Sequence, residues 1–346
     1  MPKIQTKYIL NIPLLKIKEY ENIETWYLFG FLPIYKCSVF GAGRKIFKLL
    51  GIKIVYKSKN LSKEQIFEVN RTYEEGNEIY PKVLDRNRTL ELLLKSNSSI
   101  SRFGDGEFNL ILGNDLHFQK YSKRLAKRLK EILKTPNSNN IIAIPNIFES
   151  LDAYIEDDAH FWRKFLVSYR KNIYNELDFS KQYGDSLVSR PYFGYRDKNL
   201  SKEYFEKITK IWKDKNIVIV EGEGTRLGYN NDLLKNCRSV KRILCPAKNS
   251  FEKYDEILKI CREQHCNTLF ILALGPTATV LAEDLSQMGY RALDLGHIDI
   301  EYEWFLQKAT TKIIIKDKYV NENKKGRKIT NLKDTDYLSQ IIAKIV

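Results

Sequence analysis

The chain of 346 residues carries 58 Lys and Arg against 43 Asp and Glu, a formal net charge of +15, and 43% of its residues are hydrophobic. This composition excludes an intrinsically disordered polymer, and the length suffices to bury a sizeable core and build a deep cleft. No run approaches the roughly 18 apolar residues of a spanning helix, and no apolar segment near Met1 ends in a small-residue cleavage site, so neither a membrane span nor a secretory signal is expected.

The charge is uneven: residues 1–60 are net +8 and residues 312–346 net +5, which leaves +2 for 61–311. A nucleic-acid enzyme concentrates basic residues around its working cleft, so this distribution argues against a nucleic-acid partner and for attachment to a surface. The five cysteines, Cys37, Cys237, Cys245, Cys261 and Cys266, form no CxxC pair and are expected as reduced thiols of a cytoplasmic protein.

In chain order, residues 1–70 read as a basic, aromatic N-terminal appendage. Its run Trp26 to Lys36 is followed by Arg44, Lys45, Lys48 and Lys53. Two readings stand: a small β-hairpin or a cap packed on the main domain with its lysines on the solvated face, or a contact with anionic lipid headgroups on the inner face of a membrane. Residues 61–96 alternate charged and apolar positions at helical spacing, with Ser62 as N-cap, and lead into a main domain over 71–310.

From Ser99 onward short β-type runs alternate with helical stretches, which predicts βαβ units and a mainly parallel sheet. The runs are Ile100–Phe103, Ile141–Pro145, Ile217–Glu221, Arg242–Cys245, Leu269–Leu274 and Ala292–Leu295. Helices are expected over Phe251–Gln264, Thr277–Met288 and the basic amphipathic segment Lys120–Lys134, whose Leu125, Leu129, Ile132 and Leu133 form an apolar stripe. Residues 311–346 read as a basic C-terminal tail, with Asn321–Lys328 as an exposed turn or linker.

In such a sheet the ligand crevice lies outside the carboxyl ends of the strands, so the loops that follow them are the candidate site. The turn Arg102-Phe103-Gly104-Asp105-Gly106-Glu107 sets two carboxylates two residues apart, hard oxygen ligands suited to Mn²⁺ or Mg²⁺, or else a solvated turn. Glu221, Gly222, Gly224, Thr225 and Arg226 read as a glycine loop opening a helix and offering N–H groups and a fixed charge to an anion, or as a tight turn. Asn231 and Asp232 would follow on that helix, within reach of a sugar hydroxyl. Gly275, Pro276 and Thr277 form another strand-to-helix turn. In an extended conformation His297, Asp299, Glu301 and Glu303 would share one face and supply a general base.

Six segments in this order resemble the GT-D type of bacterial glycosyltransferase: RFGDGE from Arg102, SRPY from Ser189, EGEGTRLGYNND from Glu221, CPAKNSFEKYDEI from Cys245, LALGPTATVLAEDL from Leu272 and LDLGHIDIEYEW from Leu293. The resemblance, over roughly 85–305, implies a Rossmann-like α/β fold with helices on both sheet faces. It also implies a nucleotide-diphospho-sugar donor such as a UDP-hexose, and a metal held by the D-x-E pair Asp105 and Glu107. By the same resemblance the loops containing Arg102, Phe103, Gly104, Arg190, the glycine segments and Asn249 would line the donor pocket. His297, Asp299, Glu301 and Glu303 would face the reacting sugar. The acceptor would be a surface glycan, a lipid-linked sugar of lipopolysaccharide or capsule, or a glycoprotein. Two other classes compete: an S-adenosylmethionine-dependent methyltransferase, suggested by the Glu221 loop, and a non-catalytic assembly protein at the membrane, suggested by the basic ends.

Overall fold

Strand-forming runs rich in Ile, Val and Leu alternate with helices along most of the chain. A computed structural model describes residues 3–9, 12–20, 23–29, 31–40, 44–49, 52–57, 80–134, 137–328 and 331–346. The chain divides into two compact units, Met1–Ile79 with Glu156–Tyr174, and Tyr80–Ile155 with Asn175–Val346.

The first unit contains six strands: β1 (Lys3–Ile9), β2 (Ile12–Tyr20), β3 (Ile23–Leu28), β4 (Leu32–Phe40), β5 (Arg44–Leu49) and β6 (Ile52–Lys57). Each pairs antiparallel with the next, so the sheet is a meander. The aromatic run expected as a hairpin is β3, its turn and β4; Trp26 and Tyr35 are cross-strand neighbours with ring centroids 5.0 Å apart. Residues 61–79 of the anticipated lead-in helix lie outside the described residues.

The second unit is built on nine strands: β7 (Lys82–Val83), β8 (Ser99–Arg102), β9 (Asn140–Ile144), β10 (Gln182–Asp185), β11 (Asn216–Gly222), β12 (Ser239–Cys245), β13 (Leu269–Ala273), β14 (Arg291–Asp294) and β15 (Ile341–Lys344). Their order is β15-β12-β11-β13-β14-β8-β9-β10-β7, and every pairing is parallel. Parallel strands buried on both faces need apolar residues at every position, which is why Ile217, Val218, Ile219 and Val220 of β11 are all 3% exposed or less. The helices are α1 (Arg86–Lys95), α2 (Asp105–Ile111), α3 (Lys123–Lys134), α4 (Glu156–Tyr174, in the first unit), α5 (Ser201–Ile208), α6 (Tyr254–Arg262), α7 (Pro276–Gln287), α8 (Ile298–Leu306) and α9 (Thr335–Ser339). Leu90 and Leu93 of α1, Tyr204 and Phe205 of α5 and Ile298 and Trp304 of α8 join Ile217, Ile219, Ile271 and Leu293 in one core layer. Helix α7 lies along β8, β13 and β14, with α3 and α6 beside it. This is the α/β architecture expected. Among the described residues no helix is long and apolar enough to cross a membrane.

Three local readings are corrected. The HIDIEYEW segment is helix α8, not an extended strand: its alternation reflects carboxylates buried in ion pairs rather than a solvated face, and Asp299 and Glu301 in its first turn suit a helix N-terminus. The residues after β11 open no helix, because Gly224, Arg226, Gly228 and Asn230 all have positive φ (89°, 53°, 73° and 61°), which breaks any helical run. Residues 311–346 do not form a separate tail, since β15 pairs with β12 and the preceding segment packs on the strand ends.

Candidate active site

Strands β8 and β14 are neighbours, and from them the sheet grows in opposite directions, so the topological switch point lies here, with Arg102 and Asp294 at the strand ends. Arg102 fixes the floor: Nη2 donates to Asp294 Oδ1 (2.9 Å), Nη1 to the Ser186 carbonyl (3.0 Å), and Nε to the Asp294 carbonyl. The Thr279 hydroxyl donates to the Arg102 carbonyl (2.9 Å). With its donors so engaged, Arg102 ties strand ends together rather than waiting for a donor phosphate. Phe103 is buried, and its N–H donates to Ala143 O (2.8 Å), which carries the chain across β9 into Gly104.

Helix α2 starts at Asp105. Glu107 Oε2 accepts from Gly104 N (2.7 Å), so this carboxylate caps its own helix. Burial pushes Glu107 up to about 7, against the hydrogen bond from Gly104. Asp105 is solvent-exposed at the start of α2; desolvation by the surrounding protein raises its carboxyl, and Arg190 opposes this. These are hard-oxygen donors whose negative charge is poorly compensated, which is the condition a divalent cation relieves. They supply two ligands, and among the described residues no cluster of three His, Cys, Asp or Glu side chains could hold a metal. The pair thus offers two hard-oxygen donors of the kind a Mg²⁺-like ion accepts, short of a complete protein ligand set.

Opposite α2 stands a second charged group assembled from three distant segments. Glu322 Oε1 lies 2.8 Å from Arg190 Nη2 and 2.9 Å from His297 Nε2. Burial raises Glu322, but His297 and Arg190 outweigh it and hold this carboxyl well below its usual range. Burial and the Arg190 charge push His297 down, so the imidazole is neutral near pH 7 while Glu322 is ionised. Arg190 also faces Glu301 Oε1 at 3.7 Å. The other oxygen of Glu301 accepts from Tyr192 N (3.0 Å) and Phe193 N (2.8 Å), so Glu301 anchors the SRPY loop.

Asp299 and Glu303, one helical turn apart on α8, point elsewhere. Lys318 Nζ donates to Asp299 Oδ2 and Glu303 Oε1 (both 2.8 Å), and Asn231 Nδ2 bridges the same two carboxylates (2.8 and 2.7 Å). Asp299 is 2% exposed and Glu303 7%. The expectation that Asp299, Glu301 and Glu303 jointly face a reacting sugar is thus corrected: a helix distributes them over two buried networks.

The Glu221 loop is likewise fixed from within. Glu221 accepts from Leu227 N (2.7 Å) and Arg242 Nη1 (2.7 Å), Arg226 Nη1 donates to the Asp317 carbonyl (2.5 Å), and Asp232 accepts from Tyr302 and Lys235. Gly222 packs within reach of Ala247 Cα, Gly224 O accepts from Tyr319 N (2.8 Å), and Thr225 N closes a turn on Gly222 O (2.9 Å). Asn249 bridges two loops, its N–H donating to Phe118 O (2.8 Å) and its Oδ1 accepting from Lys120 N (2.9 Å). Pro276 and Thr277 are buried, which leaves exposed Gly275 at the N-terminus of α7.

Asp105, Glu107, Arg190 and His297 thus form one chain of electrostatic neighbours, whereas Arg102, Glu221, Arg226, Asn231, Asp232, Asn249, Asp299, Glu301 and Glu303 are engaged by hydrogen bonds or ion pairs within the protein. The structure adds Glu322 and Lys318, from the segment read as an exposed linker and tail. It also adds His117, whose imidazole is pushed down by burial and then by the charges of Arg327 and Lys248. Arg327 and Lys248 supply the positive charge around this imidazole, and Glu322 lies within electrostatic range of it.

Residues 100–323 match the family model of the glycosyltransferase GT-D fold. Over 264 residues the chain is 40% identical to a probable glycosyl transferase, Gly, of Streptococcus gordonii, covering 76% of this chain and 39% of that protein. Over 259 residues it is 36% identical to the glycosyltransferase GlyD of Streptococcus pneumoniae, covering 75% of this chain and 32% of that protein. It therefore spans well under half the length of these relatives. Two solved structures superpose at 38% identity and cover the whole of the other chain. One is a domain of unknown function 1792 described as having a distinct glycosyltransferase fold (TM-score 0.74, 82% of this chain), the other a new glycosyltransferase from Streptococcus sanguinis (TM-score 0.73, 77%). The chain belongs to the GT-D glycosyltransferase fold family. That membership removes the methyltransferase reading, as does the absence of a helix after the Glu221 loop.

Proposed function

We propose that this chain is a metal-dependent glycosyltransferase that moves a hexose from a nucleotide-diphospho-sugar, a UDP-sugar by preference, to a glycan, lipid-linked or glycoprotein acceptor. The observation that carries this is the charged cluster near the β8/β14 switch point, where Asp105, followed by Glu107, lies within electrostatic range of Arg190 and Glu322, and Glu322 meets Arg190 and His297. Asp105 and Glu107 would hold Mn²⁺ or Mg²⁺, which when bound neutralises negative charge on a diphosphate leaving group.

The chain's own residues perform the rest. Lys248 and Arg327 attract the anionic donor, and the backbone at Gly275 offers it the N-terminus of α7. His297 takes the acceptor hydroxyl proton on the ring nitrogen that does not face Glu322, as the acceptor oxygen attacks the anomeric carbon. Glu322 fixes the ring orientation and stabilises the imidazolium that forms, the service a carboxylate performs for histidine in hydrolase triads. Asp299, Glu301 and Glu303 hold the framework.

The test is release of nucleotide from a panel of nucleotide-sugars by the purified chain, with Mn²⁺ or with EDTA, beside Asp105→Ala. Metal-dependent release from one donor, lost in the variant, is expected. Release that survives both EDTA and the substitution would remove the metal from the reading.

A further inference from the structure

We infer that the N-terminal meander is a docking surface for an anionic phospholipid bilayer. Its strand register places Lys18, Lys36, Lys48 and Lys53 in one row across the sheet: Lys18 pairs with Thr25, Thr25 with Lys36, Lys36 with Lys48, and Lys48 with Lys53. Side chains alternate between faces along a strand, so Lys16, Arg44 and Lys57 take positions on the same face. Glu19 and Glu24, which pair with each other, take the opposite one. One face of the described strands therefore carries seven basic positions and no acidic one. Like charges at directly opposite positions of a sheet repel, and an anionic layer laid against a row such as Lys36-Lys48-Lys53 relieves that repulsion.

At the end of the β3–β4 hairpin the chemistry changes. Phe29 is 48% exposed, Phe31 75% and Leu32 48%, and Phe29 sits at φ 53°, a conformation unusual for an aromatic residue. Exposed aromatic and aliphatic residues at the tip of a sheet whose register groups basic positions on one face match the two layers of a membrane interface, headgroup phosphates for the lysines and the acyl boundary for the rings. A nucleic acid would meet the same charge, but Phe29, Phe31 and Leu32 offer no side-chain donor or acceptor to bases or phosphates. The meander also lies outside residues 100–323, so this role is independent of the glycosyltransfer proposed above.

The test is flotation of the full chain with phosphatidylcholine vesicles, either pure or containing about one third phosphatidylglycerol. Binding to the anionic vesicles should be at least about tenfold tighter and should fall with added salt. The pair Phe29→Ser with Phe31→Ser should weaken it about tenfold, as should Lys36→Gln with Lys48→Gln, with nucleotide-sugar hydrolysis retained by both variants. Equal partition onto neutral vesicles, or binding indifferent to both pairs, would overturn the inference. Equally tight, equally sensitive retention on poly(U) RNA would replace lipid with nucleic acid. Self-association abolished by the phenylalanine pair, without vesicle binding, would make the tip a contact between copies of the chain.

Discussion

At the scale of single residues, the distinction that matters is between carboxylates that are already satisfied and those that are not. Asp299 shares Lys318 with Glu303 in a site 2% exposed, so its removal leaves a buried ammonium short of a partner. Asp299→Ala should lower the unfolding free energy by about 3–5 kcal/mol in urea titration. A surviving folded fraction that still turns over donor would identify the residue as scaffold. Glu322 behaves differently, because its two partners, Arg190 and His297, belong to the charged cluster itself. Glu322→Gln keeps an oxygen for His297 but removes the charge, so transfer to acceptor should fall by about 100-fold with little change in donor KM. Unchanged kcat would eliminate His297–Glu322 as the base.

At the scale of elements, much of the architecture was legible and the site only partly so. The runs Ile217–Glu221, Leu269–Leu274 and Ala292–Leu295 are contiguous, β-branched or aliphatic, and match β11, β13 and β14 within a residue or two. Helix α8 was hidden because Asp299, Glu301 and Glu303 mimic the alternation of an edge strand, whereas each answers a partner far along the chain: Lys318, the Tyr192 amide, Asn231. Glu322 gave no local signal, for NENKKGRK has the composition of a solvated turn and its partners are 25 and 132 residues away. The turn into α7 was read correctly, with Pro276 at its first position. Gly275 there has φ 54°, and a Cβ would come within 2.7 Å of the Phe118 ring. Gly275→Ala should therefore cost about 1–2 kcal/mol and raise the KM for donor by displacing the loop around Phe118, with Phe118→Ala restoring part of the stability. A variant as stable as the parent would show that this loop is not set by the contact.

For the whole molecule, buried acids set the dependence of stability on pH. Asp185 ends β10 and accepts from Leu187 N (2.9 Å). Burial pushes its carboxyl up to about 7, against the pull of that hydrogen bond and of Arg86. The folded value exceeds the unfolded one, so the native state binds this proton more tightly, and ionising Asp185 destabilises the fold above pH 7. Asp185→Asn should accordingly melt above the parent at pH 8, and the margin should close as pH falls toward 4, the ordinary range of the group. A margin independent of pH, measured by calorimetry, would mean that the carboxyl is ionised throughout.

Domains fold as the ribosome delivers them, from the N-terminal side first. Here the carboxylates of α8 emerge before Lys318, the Arg190–His297 pair before Glu322, and β12 before its neighbour β15. During synthesis the sheet passes through a stage in which its central acids lack their cation and its histidine lacks its orienting carboxylate. A nascent chain released before residue 318 is on this account electrostatically frustrated, its Asp299 and Glu303 held together without the ammonium that joins them in the finished fold.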